Sequence, residues 1–373
     1  MTPGRILITQ KFAGLGGSQV SLAHHLALLD RSRFEPVVAV SNTGWLTQEL
    51  DKMNIRWSLL PFGHWTQPFS IPANVVLVAK LRNLIRRENI SLVHANEHFV
   101  GPQSLLAAKW TGVPAICHFR TGLEDLSPAR IRKYLYARFD RVLPVAEVLR
   151  KRLAEHVPAE ILSVVRDGVE PNAAPTRKWK NGTRTILINV GAIYPVKGQA
   201  LILERAIPWL KSSPRNYIVF VGGVREGDAY AEGMKQAVRA NSLEKQAKFL
   251  GSRNDVPRLL TFANALIAYS TVEGIPRVVM EAMFAQKPVV VGNSAGMDEV
   301  VIDNEVGRIL DMDDPTNGVA PVLQDLTGNP SKWEAMGKRA AEIASARYST
   351  RAMSDQIQAI YAELLDRNKN AGS

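Results

Sequence analysis

Short apolar runs alternate with longer amphipathic stretches along most of the chain. In the first half, Arg5–Thr9, Pro36–Ser41, Ile55–Leu60, Ser91–Ala95, Pro114–His118 and Arg141–Val145 read as strands. Their apolar residues are largely consecutive, which suits strands covered on both faces of a sheet. The segments Ser18 to about Leu29, Pro72–Glu88, Gly101–Trp110 and Pro128–Phe139 carry helical spacing. Pro171 to Gly182 breaks the rhythm with two prolines and the polar run RKWKNGT, as a linker does. The alternation then restarts, with strands at Thr185–Val190, Tyr217–Val221, Ala247–Leu250, Ala265–Tyr269 and Pro288–Val291. Gln199–Leu210 and Arg277–Ala285 read as helices, and helical patterns dominate after Asp314. The chain is therefore expected to form two α/β halves, 1–172 and 173–348, each a parallel sheet between helices.

Length and charge narrow this picture. At 373 residues with 46% apolar content, two ordinary cores are expected rather than one. The net charge is +11, of which residues 1–172 carry +7. Such a balance points to an anionic partner: a nucleotide, a phospholipid surface or nucleic acid. Cys117 is the only cysteine, so no intrachain disulfide can form, and its apolar run marks it as buried. No run of about 18 apolar residues and no signal-peptide pattern is visible. The expected location is the cytoplasm, with contact at the inner face of the cell membrane. That contact is suggested by Arg130, Arg132, Lys133, Arg138 and Arg141 along a helix with Ile131, Leu135 and Phe139. A solvated basic face gives the same pattern.

In open α/β sheets, ligands sit beyond the carboxyl ends of the strands. The first strand runs into Gly14-Leu15-Gly16-Gly17-Ser18, where glycines let a backbone approach a phosphate at a helix start. The last glycine of a dinucleotide fingerprint is missing, and no acidic residue closes the second strand at Val40 or Ser41, so a dehydrogenase is not expected. A plain turn capped by Ser18 reads equally well. The fourth strand ends in His94-Ala95-Asn96-Glu97-His98, which spells an inverted zinc-protease motif. Here it straddles a strand end and a loop, so the histidines cannot share a helical face. No metal is expected, and the segment reads as a polar pocket wall or a satisfied polar loop. His118 and Arg120 end the fifth strand, where they could face a phosphorylated ligand or simply serve the core.

The second half is richer. Its first strand leads into Gly191-Ala192-Ile193-Tyr194-Pro195-Val196-Lys197-Gly198-Gln199, with Lys197 at a helix entry suited to a diphosphate. After Ala265–Tyr269 comes Thr271-Val272-Glu273-Gly274-Ile275-Pro276-Arg277-Val278-Val279-Met280-Glu281, a glycine-containing turn feeding a helix with Pro276 at its start. A third flexible turn, Gly292 to Glu299, follows the next strand.

At these residues the sequence resembles retaining glycosyltransferase family 4. The pair Glu273/Glu281 within EGIPRVVMEAMFAQKPVVV is similar to that family's E-x7-E signature. The resemblance extends to VGAIYPVKG from Val190, KFLGS from Lys248, RDGVE from Arg166, Gly16-Gly17, HANEH and CHFR. It implies the GT-B fold, two Rossmann-like domains with parallel sheets facing across a cleft, which close over the donor. It also implies a last helix, 349–373, that crosses back to the first domain. Lys197 would neutralise the diphosphate of a UDP- or GDP-sugar. Glu281 would hold the ribose, and Glu273 would steady charge at the anomeric carbon. Backbone N–H groups of Gly274, Ile275, Arg277 and Val278 would hold sugar or phosphate oxygens, with Pro276 in the same donor-binding turn, and Arg253 would lie beside the donor. Gly16 and Gly17 would approach the diphosphate from the opposite domain. His118 would sit near the transferred sugar, with His94, Asn96, Glu97, His98 and Arg120 on the acceptor side. No cofactor, metal or nucleic acid is implied; the acceptor would be a glycan or lipid-linked hydroxyl in cell-surface polysaccharide or lipopolysaccharide synthesis.

Two positions depart from the family pattern. Ala192 stands where an arginine usually supplies a second diphosphate cation, so either Arg120, Arg253 or Arg277 compensates or donor phosphate binding is weakened. Asp167 stands where asparagine is more usual before Gly168. A GT-B-fold nucleotide-sugar epimerase, or an inactive nucleotide-sugar-binding subunit, would fit parts of the same pattern.

Overall fold

The computed structural model describes residues 3–371 except 66, 68–69, 121–126, 171–183, 225–226, 271–275, 295, 313 and 315–317. Contacts divide the chain into two compact units: Met1–Gly168 with Thr350–Ser373, and Val169–Ser349.

The first unit is built on β1 (Gly4–Gln10), β2 (Phe34–Val40), β3 (Arg56–Leu59), β4 (Leu92–Ala95), β5 (Ala115–Phe119) and β6 (Arg141–Pro144). They form one parallel sheet in the order β3-β2-β1-β4-β5-β6. Ile6, Leu7 and Ile8 of β1 are all inaccessible, which explains the unbroken apolar run: helices cover both faces. Those helices are α1 (Gly17–Ala27), α2 (Trp45–Lys52), α3 (Ile71–Arg87), α4 (Gly101–Thr111), α5 (Pro128–Lys133) and α6 (Glu147–Leu153). The expected basic helix over Pro128–Phe139 is not continuous. Leu135 adopts a left-handed conformation (φ 58°), and a separate turn Tyr136–Arg138 follows. Ile131, Tyr136 and Phe139 are buried, so the apolar side of this segment is used by the core rather than offered to a membrane.

The second unit contains β7 (Thr185–Val190), β8 (Asn216–Val221), β9 (Ala247–Phe249), β10 (Ala265–Ala268), β11 (Val289–Gly292) and β12 (Gly307–Leu310). Their order, β12-β11-β10-β7-β8-β9, repeats that of the first unit when strands are counted from β7. Strand β12 escapes sequence reading: it is four residues long, half-buried at its centre, and lies at the sheet edge beside β11. The helices are α7 (Gln199–Ser212), α8 (Ala229–Ala240), α9 (Val256–Phe262), α10 (Arg277–Phe284), α11 (Met297–Val300), α12 (Val319–Gly328) and α13 (Pro330–Arg347). Trp209 and Trp333 are fully buried in one cluster with Ile202, Leu203 and Leu323. Burial of such large side chains stabilises the fold by roughly 1.5–3 kcal/mol each.

The last helix, α14 (Thr350–Ala371), belongs to the first unit. Met353, Ile357, Ile360, Tyr361 and Leu364 recur at helical spacing and are all buried. They join Leu22 and Leu26 of α1 and Phe34 of β2 in a single apolar cluster. A polar seam accompanies it: Gln358 accepts from the backbone of Asp30 at 2.9 Å and donates to Ser354 at 3.1 Å.

Candidate functional site

In each sheet the strand order reverses direction at one place, between β1 and β4 and between β7 and β10. Ligands of doubly wound folds bind at this switch point, beyond the carboxyl ends. Among the sequence-predicted residues that are described, His94 and His118 lie within β4 and β5, Arg277, Val278 and Glu281 within α10, and the others in the segments that follow β1, β4, β5, β7, β9 and β10.

In the second unit, β7 ends at Val190 and the chain turns through Gly191 to a short helical turn, Pro195–Lys197. Lys197 is half-buried there. Three contacts fix this turn: Ile193 donates to the Gly223 carbonyl at 3.0 Å, Gln199 to the Ala192 carbonyl at 2.9 Å, and Ser270 to the Val196 carbonyl at 3.2 Å. The last ties the lysine turn to the segment after β10. The Tyr269 ring sits between Gly198 and Gly292: a Cβ at either would lie 2.3 or 2.0 Å from it. Gly198 also has φ 59°, so both backbone and packing require glycine. The turn after β7, the end of β10 and the end of β11 are thus drawn together around one aromatic ring.

Beyond β10, Glu273, Gly274 and Ile275 lie outside the described residues. Pro276 is buried and caps α10, whose first residue is Arg277. Arg277 and Glu281 sit one turn apart at 3.9 Å, with about a quarter of each side chain exposed. Burial pushes the Glu281 carboxyl above its usual range, and the Arg277 charge partly opposes this. Val278 is half-buried beside them. Ala192 is exposed. Of the arginines expected to replace its missing cation, Arg253 forms a two-pronged pair with Asp255, both contacts at 2.8 Å, and Arg277 faces Glu281.

The third such arginine, Arg120, is in the first unit and is bound more firmly. Its guanidinium donates to Asp167 at 3.1 Å and to both oxygens of Asn96, the side-chain contact being 2.9 Å. The Arg120 and Asp167 side chains are 8% and 12% exposed. Asp167 also accepts from Ser21 at 2.6 Å. Its aspartate, rather than the more usual asparagine, thus supplies a charge for a buried guanidinium. Asn96 donates to Gln10 at 2.6 Å, and Glu97 accepts from Gln10 and from the Lys11 backbone, both at 2.9 Å. Burial raises the Glu97 carboxyl above its ordinary range, against those hydrogen bonds and the Arg120 charge. Sequence reading leaves these residues as a polar pocket wall or a satisfied polar loop. The structure buries them in a network that satisfies itself, as polar groups taken from water must be.

The histidines are buried beside this network but only partly paired. His94 and His118 are inaccessible, and their ring nitrogens meet at 2.9 Å, His94 Nε2 to His118 Nδ1. His94 Nδ1 lies 2.6 Å from the hydroxyl of Tyr361 on α14. Burial first, then neighbouring charge, holds both rings neutral well below the usual imidazole range. His98 faces elsewhere, against Phe99, Phe119 and Tyr134, so His94 and His98 do not converge. Cys117, between these residues, is fully buried, and burial pushes its thiol up. Sequence reasoning missed Tyr361 and Gln10. Neither carries a motif, and only the packing of α14 and the neighbouring strand brings them in.

Gly16 precedes α1 in an extended conformation, and Gly17, exposed, is the first helical residue. No side chain caps this helix, so the reading of Ser18 as a cap does not hold. Gln19 instead donates to the Phe12 carbonyl at 3.0 Å and braces the turn. Cavities lined by Arg33, Phe34 and Leu365, and by Phe139, Arg141 and Leu364, lie at the amino-terminal edge of the first sheet, away from every predicted site residue. Among the described residues no helix is long and apolar enough to cross a membrane.

Comparison with known proteins places this geometry. Residues 174–343 match the family Glycosyl transferases group 1, and residues 15–173 match Glycosyltransferase Family 4. The chain is 22% identical over 323 residues to the UDP-Gal:alpha-D-GlcNAc-diphosphoundecaprenol alpha-1,3-galactosyltransferase of Escherichia coli, covering 80% of this chain and 82% of that protein. It is 23% identical over 293 residues to an uncharacterised glycosyltransferase of Methanocaldococcus jannaschii, covering 76% and 79%. Among solved structures, Anabaena HepE in complex with UDP aligns with a TM-score of 0.82 at 21% identity, over 96% of this chain and 100% of that one. A likeness of that degree shows the shared GT-B fold.

Proposed function

This chain belongs to glycosyltransferase family 4, and on that premise we propose that it moves a sugar from a nucleoside-diphosphate donor to a hydroxyl, with retention at the anomeric carbon. The observation that carries this reading is the join in the second unit, where Ser270 and Tyr269 tie the Lys197 turn to the segment leading into α10. A lysine and a helix entry at one switch point suit a diphosphate. In this reading Lys197 neutralises the phosphates, and the N–H groups from Gly274 to Val278 hold phosphate or sugar oxygens. Glu281 accepts the ribose hydroxyls, which relieves the cost of its partly buried charge. Glu273 steadies the developing positive charge at the anomeric carbon, and His118 meets the transferred sugar. Fixed cations and N–H groups carry the charge, so no divalent ion is required.

A UDP-sugar is the first donor to test, since HepE was crystallised with UDP. The Escherichia coli relative is named for a diphosphoundecaprenol-linked acceptor. A lipid-linked glycan, in cell-surface polysaccharide or lipopolysaccharide synthesis, is the proposed acceptor class. A thermal-shift screen of UDP-, GDP- and ADP-sugars is the direct test: a donor at 100 times its Kd stabilises the fold by about 2.7 kcal/mol. Replacing Glu273→Ala is expected to cut transfer by about 100-fold or more. Full turnover in that variant, or no shift with any donor, would sink the assignment. Product formed without acceptor would favour an epimerase.

One observation supports contact with an anionic membrane at the inner face of the cell membrane. On α3, Ile71, Val75 and Val76 are 61%, 63% and 54% exposed, and Lys80, Arg86 and Arg87 continue the same exposed side. Apolar insertion followed by basic contact is the pattern of an interfacial helix. Flotation with anionic vesicles at low salt is expected to carry the protein, and Val75→Glu with Val76→Glu to leave it behind.

A further inference from the structure

His118 Nε2 is buried and meets no hydrogen-bonding partner among the described residues, while its other ring nitrogen is engaged by His94. A chain of three buried groups, Tyr361, His94 and His118, ends on that nitrogen. Counting protons decides its direction. A neutral imidazole carries one N–H, and a tyrosine hydroxyl has one proton to give. If Tyr361 donates to His94 Nδ1, then His94 must carry its proton on Nε2 and donate to His118 Nδ1. His118 then carries its own proton on Nε2. In this direction every group is paired except the His118 Nε2–H. In the reverse direction His118 donates to His94 and His94 to the tyrosine oxygen. The tyrosine proton and the bare His118 Nε2 are then both stranded in the core. One orphan costs less than two.

We propose that His94 and Tyr361 are positioning residues that lock His118 in the tautomer protonated on Nε2, keeping one neutral hydrogen-bond donor for the sugar substrate. The proposal rests on the reading of His118 as the residue that meets the transferred sugar. Burial supports it by holding both histidines uncharged. The groups around the chain are His25, whose Nδ1 lies 3.0 Å from Ser354 Oγ and whose ring meets Tyr361 edge-on at 5.7 Å, and Arg120, whose charge opposes protonation of all three rings. A neutral donor, unlike an imidazolium, can hold a sugar hydroxyl without adding positive charge where the anomeric carbon is already becoming positive.

The first test uses the free protein with 15N-labelled histidine. Protonated and bare ring nitrogens resonate far apart, and single replacements assign each ring. The expected pattern is Nε2–H with bare Nδ1 on both His94 and His118. A proton on His118 Nδ1 overturns the lock and leaves the transferase reading untouched, because no substrate is involved. Tyr361→Phe keeps the ring in its packing but makes the two directions equal in orphans, so the His118 signals are expected to show mixed tautomers. For the positioning role, His94→Leu removes the donor to His118, whereas His94→Gln can place an amide N–H near the lost Nε2. His94→Leu is expected to lower kcat about tenfold with KM for the donor sugar little changed, the scale seen for groups that orient a working imidazole through its second nitrogen. His94→Gln is expected to recover most of that loss. Equal kcat in His94→Leu and the parent overturns the positioning role.

Discussion

The two units share one strand order but finish their carboxyl edges differently. In the first unit Gln10, Asn96, Glu97, Arg120 and Asp167 are buried and satisfy one another, and the His94–His118 pair is buried beside them with one ring nitrogen left over. In the second unit the edge is shaped by backbone and glycine around Tyr269, while Lys197, Arg277 and Glu281 keep part of their surface. Topology therefore chooses where a site can lie but not what it is made of. A self-satisfied network lends rigidity. Partly exposed charges on a braced turn stay in contact with solvent.

The sharpest way to break this contrast is to remove the charge that pairs with Arg120. Asp167→Ala leaves a guanidinium buried without its carboxylate and is expected to destabilise the first unit by roughly 3–5 kcal/mol. Chemical denaturation followed by a probe in that unit measures it. Lys197→Ala should do the opposite in kind, lowering transfer by about 100-fold with the melting temperature nearly unchanged. If Asp167→Ala melts like the parent, the network is not the support described above.

Acid provides a second contrast. All seven histidines lie in residues 1–168, none in the second unit. Burial lowers His94 and His118, and holds His25 down to about 3. The unfolded chain takes up these protons near pH 6.5 while the folded one does not. Stability that is full above that pH is therefore lost as pH falls through it, by up to about 1.4 kcal/mol per pH unit for each histidine. Glu97, raised by burial, pulls the other way once the pH nears carboxylate range, because the folded state binds its proton first. Calorimetry between pH 7 and 5 is expected to show the first unit melting earlier while the second holds; equal shifts in both units would overturn this.

A smaller effect is expected at Gly198. Alanine there meets the left-handed backbone cost of roughly 1–2 kcal/mol and presses on Tyr269, loosening the Lys197 turn. Donor affinity should fall along with stability, as titration calorimetry would show. Ala192→Arg should move affinity in the favourable direction by the least, about fivefold, since an exposed added charge is partly screened.

Much of the architecture was legible without coordinates. Eleven of the twelve described strands coincide with segments read as strands, most of them because strands buried on both faces are written as apolar runs. The turn at Lys197 and the start of α10 were legible for a related reason: glycine and proline punctuate the ends of strands. Strand β12 was hidden by its length and half-exposed centre. The break at Leu135 was hidden because the surrounding spacing remains helical.

The order of residues alone fixed two α/β halves, their strand ends and the residue types at each end, since periodicity and turn chemistry are local. Tertiary structure decided which polar groups are spent inside and which remain outward. Arg120 lies 47 positions from Asp167, and His94 lies 267 from Tyr361, so no local pattern could pair them. Burial, a property of the packed chain and not of any segment, decided which of those polar side chains pair with one another.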